Sequence, residues 1–385
     1  MHYRLNRLYL LFIIVLCDTP SPLCTDPGMV VPQTQHRLTQ VVVLDMRRYG
    51  WEEPSQGQSD RPIIAIDHKG RLVVGHTVRE RYGLVTRNQP SLEFQFLRLT
   101  SNGTIDLSAS LPTNVGGGSE LYLSDTDEIV VRENDSLQWL QSYTGTSDGV
   151  LWTFLTPCTR GCRVTQSYSR HTLLVYNDSV DIPVTIVTLS EPPVVHRCSK
   201  VSQLMDLSED QIYPHLTTDR FAYSIRGGKA YRWRHCEYDR RVALPLDGNG
   251  RWEVLNDDSF VANTYDVHAH HCGLKVVSAT GEVRFRPTLS KYESVSTLWE
   301  PIRRNENGNR IAVDVVTIGG DHPSLDIPGH VKARRIAVYD IASGTEVASI
   351  SVASKHRYRY KFDLSPDGHR VVVIEDDIVR EFLFD

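Results

Sequence analysis

Long apolar runs are nearly missing from this 385-residue chain. The one that stands out, Leu8 to Leu16 (LYLLFIIVL), is too short to span a bilayer. No long amphipathic helical pattern appears past residue 40, so layers of packed helices are not expected. Charge of one sign is lacking too. Lys plus Arg number 42 against 47 Asp plus Glu, a formal charge of -5, and so mild an acidic excess excludes a nucleic-acid surface. Catalytic signatures are absent: neither G-x-S-x-G nor H-E-x-x-H is present, and no D-x-[DN]-x-[DN]-G calcium loop occurs. Gly116-Gly117-Gly118 is followed by neither GK[ST] nor a helix, which excludes a phosphate cradle.

What the chain does have is short β runs cut by turn residues, over a hydrophobic fraction of 40% that can fill a core. The pattern is clearest from Arg334 to Asp385. Ile336, Val338 and Ile341 alternate with polar or small residues, and Val347 and Ile350 continue beyond Ala342-Ser343-Gly344-Thr345. Gly344 can supply the positive φ of a tight hairpin, since it has no Cβ to clash. In Ser365-Pro366-Asp367-Gly368, proline pre-sets φ, aspartate bonds its own backbone and glycine takes the left-handed site. Val371 to Ile374 is continuously apolar, as a strand covered on both faces reads.

The same event recurs seven times: a polar turn, then an apolar run. The turns fall near Asp67-Gly70, Asp125-Asp127, Ser169-Arg170, Asp219-Arg220, Asp257-Asp258, Asn305-Gly308 and Asp367-Gly368. A second hairpin turn recurs at Ser101-Thr104, Thr144-Thr146, Ala279-Glu282 and Ser343-Glu346. The sixth unit is long and carries the insertion Gly319 to Val331, rich in Gly, Pro and His. Four short strands in about 40–50 residues are the signature of a propeller blade.

IAVYDIASGTEVASISV resembles the third and fourth strands of a WD-repeat blade, with Tyr339-Asp340 where that family has its Trp-Asp pair. FDLSPDGHRVVVIED resembles the first two strands of blades in bacterial exported propellers related to that family. The likeness is sharp over residues 297 to 385 and diffuse over 62 to 290, and the family's Gly-His pair is absent. It implies an all-β fold, a β-propeller of seven four-stranded blades, and a binding-scaffold role. After Ser365-Gly368 only two further strands remain before the chain ends. Val41 to Leu44, a strand with no hairpin partner nearby, is therefore expected to complete the last blade and close the ring.

The start of the chain reads as a secretory signal. Arg4 and Arg7 precede the apolar run, and a Pro- and Thr-rich stretch follows. The division expected is residues 1–24 signal peptide, 25–38 linker and 39–385 propeller. The alternatives are lipid attachment at Cys17 or Cys24 and a buried N-terminal strand. A secreted or periplasmic protein meets an oxidising compartment, so disulfides are expected among Cys24, Cys158, Cys162, Cys198, Cys236 and Cys272. Cys158 and Cys162 are close enough for a local bridge, and two of Cys198, Cys236 and Cys272 can bridge repeats. The spacing does not fix the connectivity.

Among candidate sites, His268, His270 and Cys272 would share one face of an extended strand, and imidazole and thiolate suit zinc or copper. A solvated turn, or a disulfide at Cys272, is the competing reading. Tyr231-Arg232-Trp233-Arg234 and Arg357-Tyr358-Arg359-Tyr360-Lys361 alternate rings and cations. A period of two puts the rings on one face, where packing between blades is expected. The turn carboxylates Asp125, Asp127, Asp257, Asp258, Asp376 and Asp377 are read as ordinary turn chemistry. Sequons stand at Asn102, Asn134 and Asn177.

The expected function is a non-enzymatic scaffold without cofactor, monomeric, binding a protein or small ligand on the loop face, the Gly319–Val331 insertion included. No nucleic-acid partner and no transmembrane span are expected. The rival is a propeller-fold enzyme, a quinone-dependent dehydrogenase or a hydrolase, which requires ionisable groups converging at the channel mouth beside an apolar pocket.

Overall fold

Strands form where the β-branched runs stand, and turns where Gly, Asp, Asn and Ser interrupt them. The structure is a computed structural model. It describes residues 38–49, 51, 62–79, 92–113, 120–133, 139–143, 150–155, 163–176, 184–190, 193–198, 216–226, 229–234, 237–243, 251–256, 259–266, 271–290, 292–296, 302–319, 330–353 and 360–385. All of them belong to the unit Thr34–Asp385.

The first strand, β1 (Thr39–Asp45), leads into a 3-10 turn at Met46–Tyr49. The first sheet contains β2 (Ile63–Ile66), β3 (Leu72–Arg79), β4 (Leu92–Leu99) and β5 (Ile105–Thr113), hydrogen-bonded in that order. The second contains β6 (Glu120–Leu123), β7 (Ile129–Glu133), β8 (Trp139–Tyr143) and β9 (Val150–Leu155). The third contains β10 (Arg163–Gln166), β11 (Thr172–Tyr176), β12 (Val184–Thr188) and β13 (Val194–Cys198). The fourth contains β14 (Leu216–Thr217), β15 (Ala222–Arg226), β16 (Lys229–Arg234) and β17 (Glu237–Ala243). The fifth contains β18 (Arg251–Asn256), β19 (Ser259–Asp266), β20 (His271–Ser278) and β21 (Val283–Phe285).

The sixth sheet departs from the four-strand expectation. β22 (Glu293–Val295) and β23 (Ile302–Arg304) both pair with β24 (Arg310–Ile318), which continues to β25 (Val331–Asp340) and β26 (Glu346–Val352). The first strand position is thus filled by two short pieces. Pro301, just before β23, has no N–H to give to a ladder. The seventh sheet contains β27 (Tyr360–Leu364), β28 (Arg370–Glu375) and β29 (Ile378–Leu383), and β1 lies antiparallel against β29. Thr39 faces Leu383 and Asp45 faces Ile378, with a bulge between Gln40 and Val42.

Apolar side chains gather between sheets rather than in one central core. Val73, Phe96 and Leu107 meet Leu123 and Val131 between the first and second sheets. Val130 joins Leu173 and Val175 between the second and third. Leu174 and Cys198 join Tyr231 and Trp233, then Tyr223 joins Phe260 and Val277. Val261 and Val276 join Ile311 and Tyr339, and Ile336 and Ile350 join Phe362 and Val373. The remaining cluster packs Val372, Ile374 and Val379 of the seventh sheet on Ile64, Leu72 and Val74 of the first.

The second strand of each sheet therefore has a neighbour on both faces. That is why Leu72-Val73-Val74, Ile129-Val130-Val131, Leu173-Leu174-Val175 and Val371-Val372-Val373-Ile374 are apolar without alternation and all buried. At the fourth sheet Tyr231 and Trp233 are buried, while Arg232 stacks 4.0 Å over the Phe221 ring and Arg234 is exposed. The rings pack inward, as the period of two predicts.

Residues 47–61 read as a loop from sequence, yet Met46–Tyr49 is a 3-10 turn that plants Met46 and Trp51 in the seam between the seventh and first sheets. Trp51 stacks on His76 with ring centroids 3.9 Å apart and planes within 9°. His76 is 9% exposed and its Nε2 has no hydrogen-bond partner. Burial pulls its pKa down to about 4, against a hydrogen bond with Gln95. The unfolded chain takes up a proton near pH 6.5, but the folded imidazole resists it until about pH 4. Stability held above pH 6.5 is therefore lost as pH falls towards 4, by about 3 kcal/mol at most. His76→Phe keeps the stack and should remove this slope in urea titrations between pH 7 and 4. An unchanged slope in the variant would refute the assignment.

Candidate functional site

The first turns of five sheets share one construction. Their opening residues Asp67, Ser124, Ser167, Asn305 and Ser365 each accept, on the carbonyl, the N–H of the residue three positions on, at 2.9–3.2 Å. Each opening side chain also accepts an N–H beyond the turn, from Arg71, Glu128, Thr172, Arg310 and Arg370 respectively, at 2.8–3.0 Å. Short polar side chains do this because their oxygen sits within reach of the local backbone. The fourth position is left-handed in all five: Gly70, Gly308 and Gly368, but also Asp127 (φ 67) and Arg170 (φ 64). All three glycines leave room for a neighbour as well, Gly368 for Asn305 Nδ2 at 2.9 Å from an added Cβ. A Cβ on Gly308 would stand 2.5 Å from the Leu255 carbonyl oxygen, and one on Gly70 would stand 2.4 Å from Arg370 Nη1. Each of these turns thus rests on the turn region of the preceding sheet.

In an antiparallel sheet the turns after the first and third strands lie at one end, and the other connections at the opposite end. The tight first turns therefore share a turn end with the second hairpin turns at Ser101–Gly103, Ala279–Gly281 and Ile341–Gly344. The connection from β24 to β25, which is the 319–330 insertion, leaves the other end, the loop end, as do the connections between sheets. The expectation that treated the turns and the insertion as one face is corrected here: they lie at opposite ends of the sixth sheet.

The first strands face one another around a central space. β2 touches β6 and β27, β14 touches β10 and β18, and β23 touches β27. Polar side chains cross this space at the turn end. Arg170 Nη1 donates to the Ile66 carbonyl at 2.7 Å, and its Nη2 lies 3.8 Å from Asp363 Oδ2. Arg304, from the sixth sheet, donates to the Gln166 carbonyl of the third at 2.9 Å. Arg303 Nε donates to the Phe362 carbonyl at 3.3 Å and lies 4.0 Å from Asp363. Asp363 also accepts the Ile66 N–H at 3.1 Å. Burial raises the Asp363 carboxyl, opposed by Arg170 and Arg303, and lowers the Arg304 guanidinium, opposed by Glu253. Arginines that donate to backbone carbonyls thus brace the third sheet to the first, the sixth to the third and the sixth to the seventh.

Above the brace the turns are linked side to side. His68 places Nδ1 2.8 Å from Asp127 Oδ1 and Nε2 2.9 Å from Glu306 Oε1. His171 Nδ1 lies 2.8 Å from Asp125 Oδ2, and Ser169 donates to Asp219. Arg71 joins Asp67 and Asp106, and Arg98 joins Asp106. Asp127 and Arg170, the two non-glycine residues at the left-handed position of these five turns, are among those that reach other sheets. A left-handed L-residue costs about 1–2 kcal/mol, least for Asp, and these contacts offset it.

Ionisable groups do converge here, as the enzyme reading requires. Each carboxylate of the cluster faces a cation, a backbone N–H or a hydroxyl within the protein. Asp127 exceeds the ordinary turn role expected of it. Asp376 (φ 53) and Asp377 form the short turn between β28 and β29, and the Asp377 carbonyl accepts the Met46 N–H at 2.7 Å. Asp257 and Asp258 lie outside the described residues.

His268 and His270 also lie outside them. Cys272 is placed in β20, opposite Tyr265. Among the described residues no group of three or more His, Cys, Asp or Glu is arranged to hold a metal ion, and no helix is long and apolar enough to cross a membrane. Cys198 is buried at the end of β13. Tyr360 is buried beside Lys361, while Arg357 to Arg359 fall outside the described residues. Tyr339 is buried between the fifth and sixth sheets, and Asp340 accepts the Ser343 N–H and hydroxyl at 2.8 Å each. The pair at the Trp-Asp position thus divides into a core ring and a turn acceptor.

Sequence reading missed His68, Arg170, Arg303, Arg304, Glu306 and Asp363 as a group. The available signal was charge inside a first strand: Arg303-Arg304 in β23 and Asp363 in β27 place ionised groups on innermost strands.

No protein-family model matches the chain, and no curated protein matches it in sequence. Solved structures do match in shape. The β-propeller domain of Cps50 (Swd1) from Myceliophteria thermophila superposes with a TM-score of 0.51 at 9% identity, over 90% of this chain and 99% of that one. A chain of a mitotic checkpoint complex gives 0.49 at 12% identity, covering 98% and 99%. KlHsv2 with its loop 6CD replaced by a Gly-Ser linker gives 0.48 at 10%, covering 83% and 90%. Identity this low speaks for the fold alone. The chain folds as an all-β β-propeller.

Proposed function

We propose that this protein is an exported, WD-repeat-like propeller of seven blades, clasped by β1, that binds a protein or small ligand through the loop end of its sheets. The observation that carries the binding reading is the asymmetry of the two ends. The turn end is cross-linked by its own side chains, with Arg170, Arg304 and His68 spanning between sheets. A partner there would have to displace hydrogen bonds already made. The loop end receives the connections between sheets and the 319–330 insertion. A rigid scaffold presenting variable connections at one end is a common arrangement for recognition.

The seven-blade reading is supported by seven sheets and by apolar clusters between successive pairs, the last between the seventh and first. The clasp is supported by the pairing of β1 with β29. Export is supported by the basic start and the Leu8–Leu16 run. N-terminal sequencing of the protein from its producing cells should find the first two dozen residues removed. Recovery with Met1 intact from the cytosol would end the export reading.

Capture experiments test the binding face. The same bait is compared as wild type, with residues 320–329 replaced by a Gly-Ser linker, and with the turn-end pair Lys69→Ser and Asp367→Ser. The expected result is that a saturable partner is lost with the linker variant and kept with the turn-end variant. Loss only with the turn-end variant would overturn the assignment.

A further inference from the structure

We propose that His68 is a proton-operated latch: its charged ring ties the first turns of the first, second and sixth sheets together, and its neutral ring lets the sixth go. The geometry carries this. Nδ1 stands 2.8 Å from Asp127 Oδ1 and Nε2 stands 2.9 Å from Glu306 Oε1, on two different sheets. An ionised carboxylate only accepts hydrogen bonds. A neutral imidazole carries one N–H and can serve only one of them, leaving a lone pair aimed at the other. Both contacts at once require the imidazolium.

The two carboxylates are not equivalent. Asp127 Oδ1 also accepts the backbone N–H of His68 at 2.8 Å, so the first and second turns stay joined whatever the ring carries. The side chain of Glu306 meets the first sheet through the ring. Its backbone N–H is held by the Pro366 carbonyl of the seventh sheet at 3.1 Å. Loss of the ring proton at Nε2 therefore frees one link, between the first and sixth turns. Arg71 approaches the latch from its own sheet, with Nη2 3.7 Å from Asp127 Oδ2, and Arg98 Nη1 donates to the Asp127 carbonyl at 3.4 Å. Asp127 is only 5% exposed and cannot turn to water, whereas Glu306 is 25% exposed and can, so the neutral ring keeps its N–H on Asp127 and gives up Glu306.

Burial lowers the ring's pKa, but Glu306 and Asp127 outweigh it and hold it above the ordinary value. A base whose folded pKa is raised contributes stability that is fully present below the unfolded value, near 6.5, and is lost as pH rises through the folded value. The latch is therefore closed in mildly acid surroundings and opens on the alkaline side. The side chain is 30% exposed, so solvent can exchange its proton.

Ring nitrogen NMR on uniformly labelled wild-type protein tests this, with His68 assigned through bonds to its own backbone. Both ring nitrogens should be protonated at pH 6, and titration should fall above 6.5. A ring that titrates at or below 6.5, or carries one N–H at pH 6, would overturn the proposal. Glu306→Gln supplies a second readout. Its urea midpoint should lie below wild type at pH 6 and meet it at pH 9. An equal deficit at both pH values would mark Glu306 as merely structural and contradict the latch. Should that variant fail to fold, the wild-type titration decides alone.

Discussion

Arg334→Met is expected to cost about 3–5 kcal/mol of stability, the usual penalty for stranding one member of a buried ion pair. Arg334 Nη1 lies 2.6 Å from Asp314 Oδ2, and both side chains are 0% exposed. Asp314 belongs to β24 and Arg334 to β25, the two strands that carry the 319–330 insertion. The guanidinium also stands 4.7 Å over the ring of Tyr360 in β27, across the boundary with the seventh sheet. Burial raises the Tyr360 hydroxyl well above its ordinary pKa, and Asp314 adds to the rise while Arg334 opposes it. Removing the cation leaves a carboxylate in an apolar seam with its main compensation gone. Asp314→Leu combined with Arg334→Met removes both charges, so the double variant should recover most of the loss. Urea denaturation of the two single variants and the double closes the cycle. A single-variant cost below about 1 kcal/mol would show that the pair stabilises little. The functional consequence lies at the loop end: this pair fixes the base of the insertion proposed to contact a partner.

Deleting everything before Met46 is the second large effect. It removes β1, whose six paired positions run from Thr39 opposite Leu383 to Asp45 opposite Ile378. At about 0.5–1.5 kcal/mol net per hydrogen bond, and about one bond per paired position, the loss should reach about 3–9 kcal/mol. Little of this comes from apolar burial on the outer face, since Val41 and Val43 are 44% and 56% exposed. The larger effect is topological. Without β1 the backbone of β29 becomes an open edge, and open edges recruit other chains. The truncated protein should therefore unfold at lower urea and associate in sedimentation experiments. A peptide spanning residues 39–45 should reverse both. A truncated protein that stays monomeric with an unchanged midpoint would show that β1 is an ornament.

Local structure was legible wherever one residue type answers one backbone need. Val371 to Ile374 reads as a doubly covered strand, and all four residues are buried. Gly344 and Gly368 read as left-handed turn positions, with φ of 69 and 78. Tyr231 and Trp233 read as inward rings by their spacing alone. What escaped was whatever depends on distant parts of the chain. His68 and Glu306 are 238 positions apart, and no local pattern brings them together. Asp127 and Arg170 occupy left-handed sites without glycine, a choice that makes sense only once their cross-sheet contacts are seen. The split first strand of the sixth sheet was hidden as well, because β22 and β23 are each three residues long. Runs that short carry too little periodicity to read.

The account rests on β1 being an integral strand of the seventh sheet. Hydrogen–deuterium exchange tests this directly. The hydrogen-bonded amides of Thr39–Asp45 should exchange on the same slow timescale as those of Arg370–Glu375 and Ile378–Leu383, as members of one cooperative unit. Exchange of residues 39–45 at the rate of a free peptide, while β28 and β29 stay protected, would contradict it.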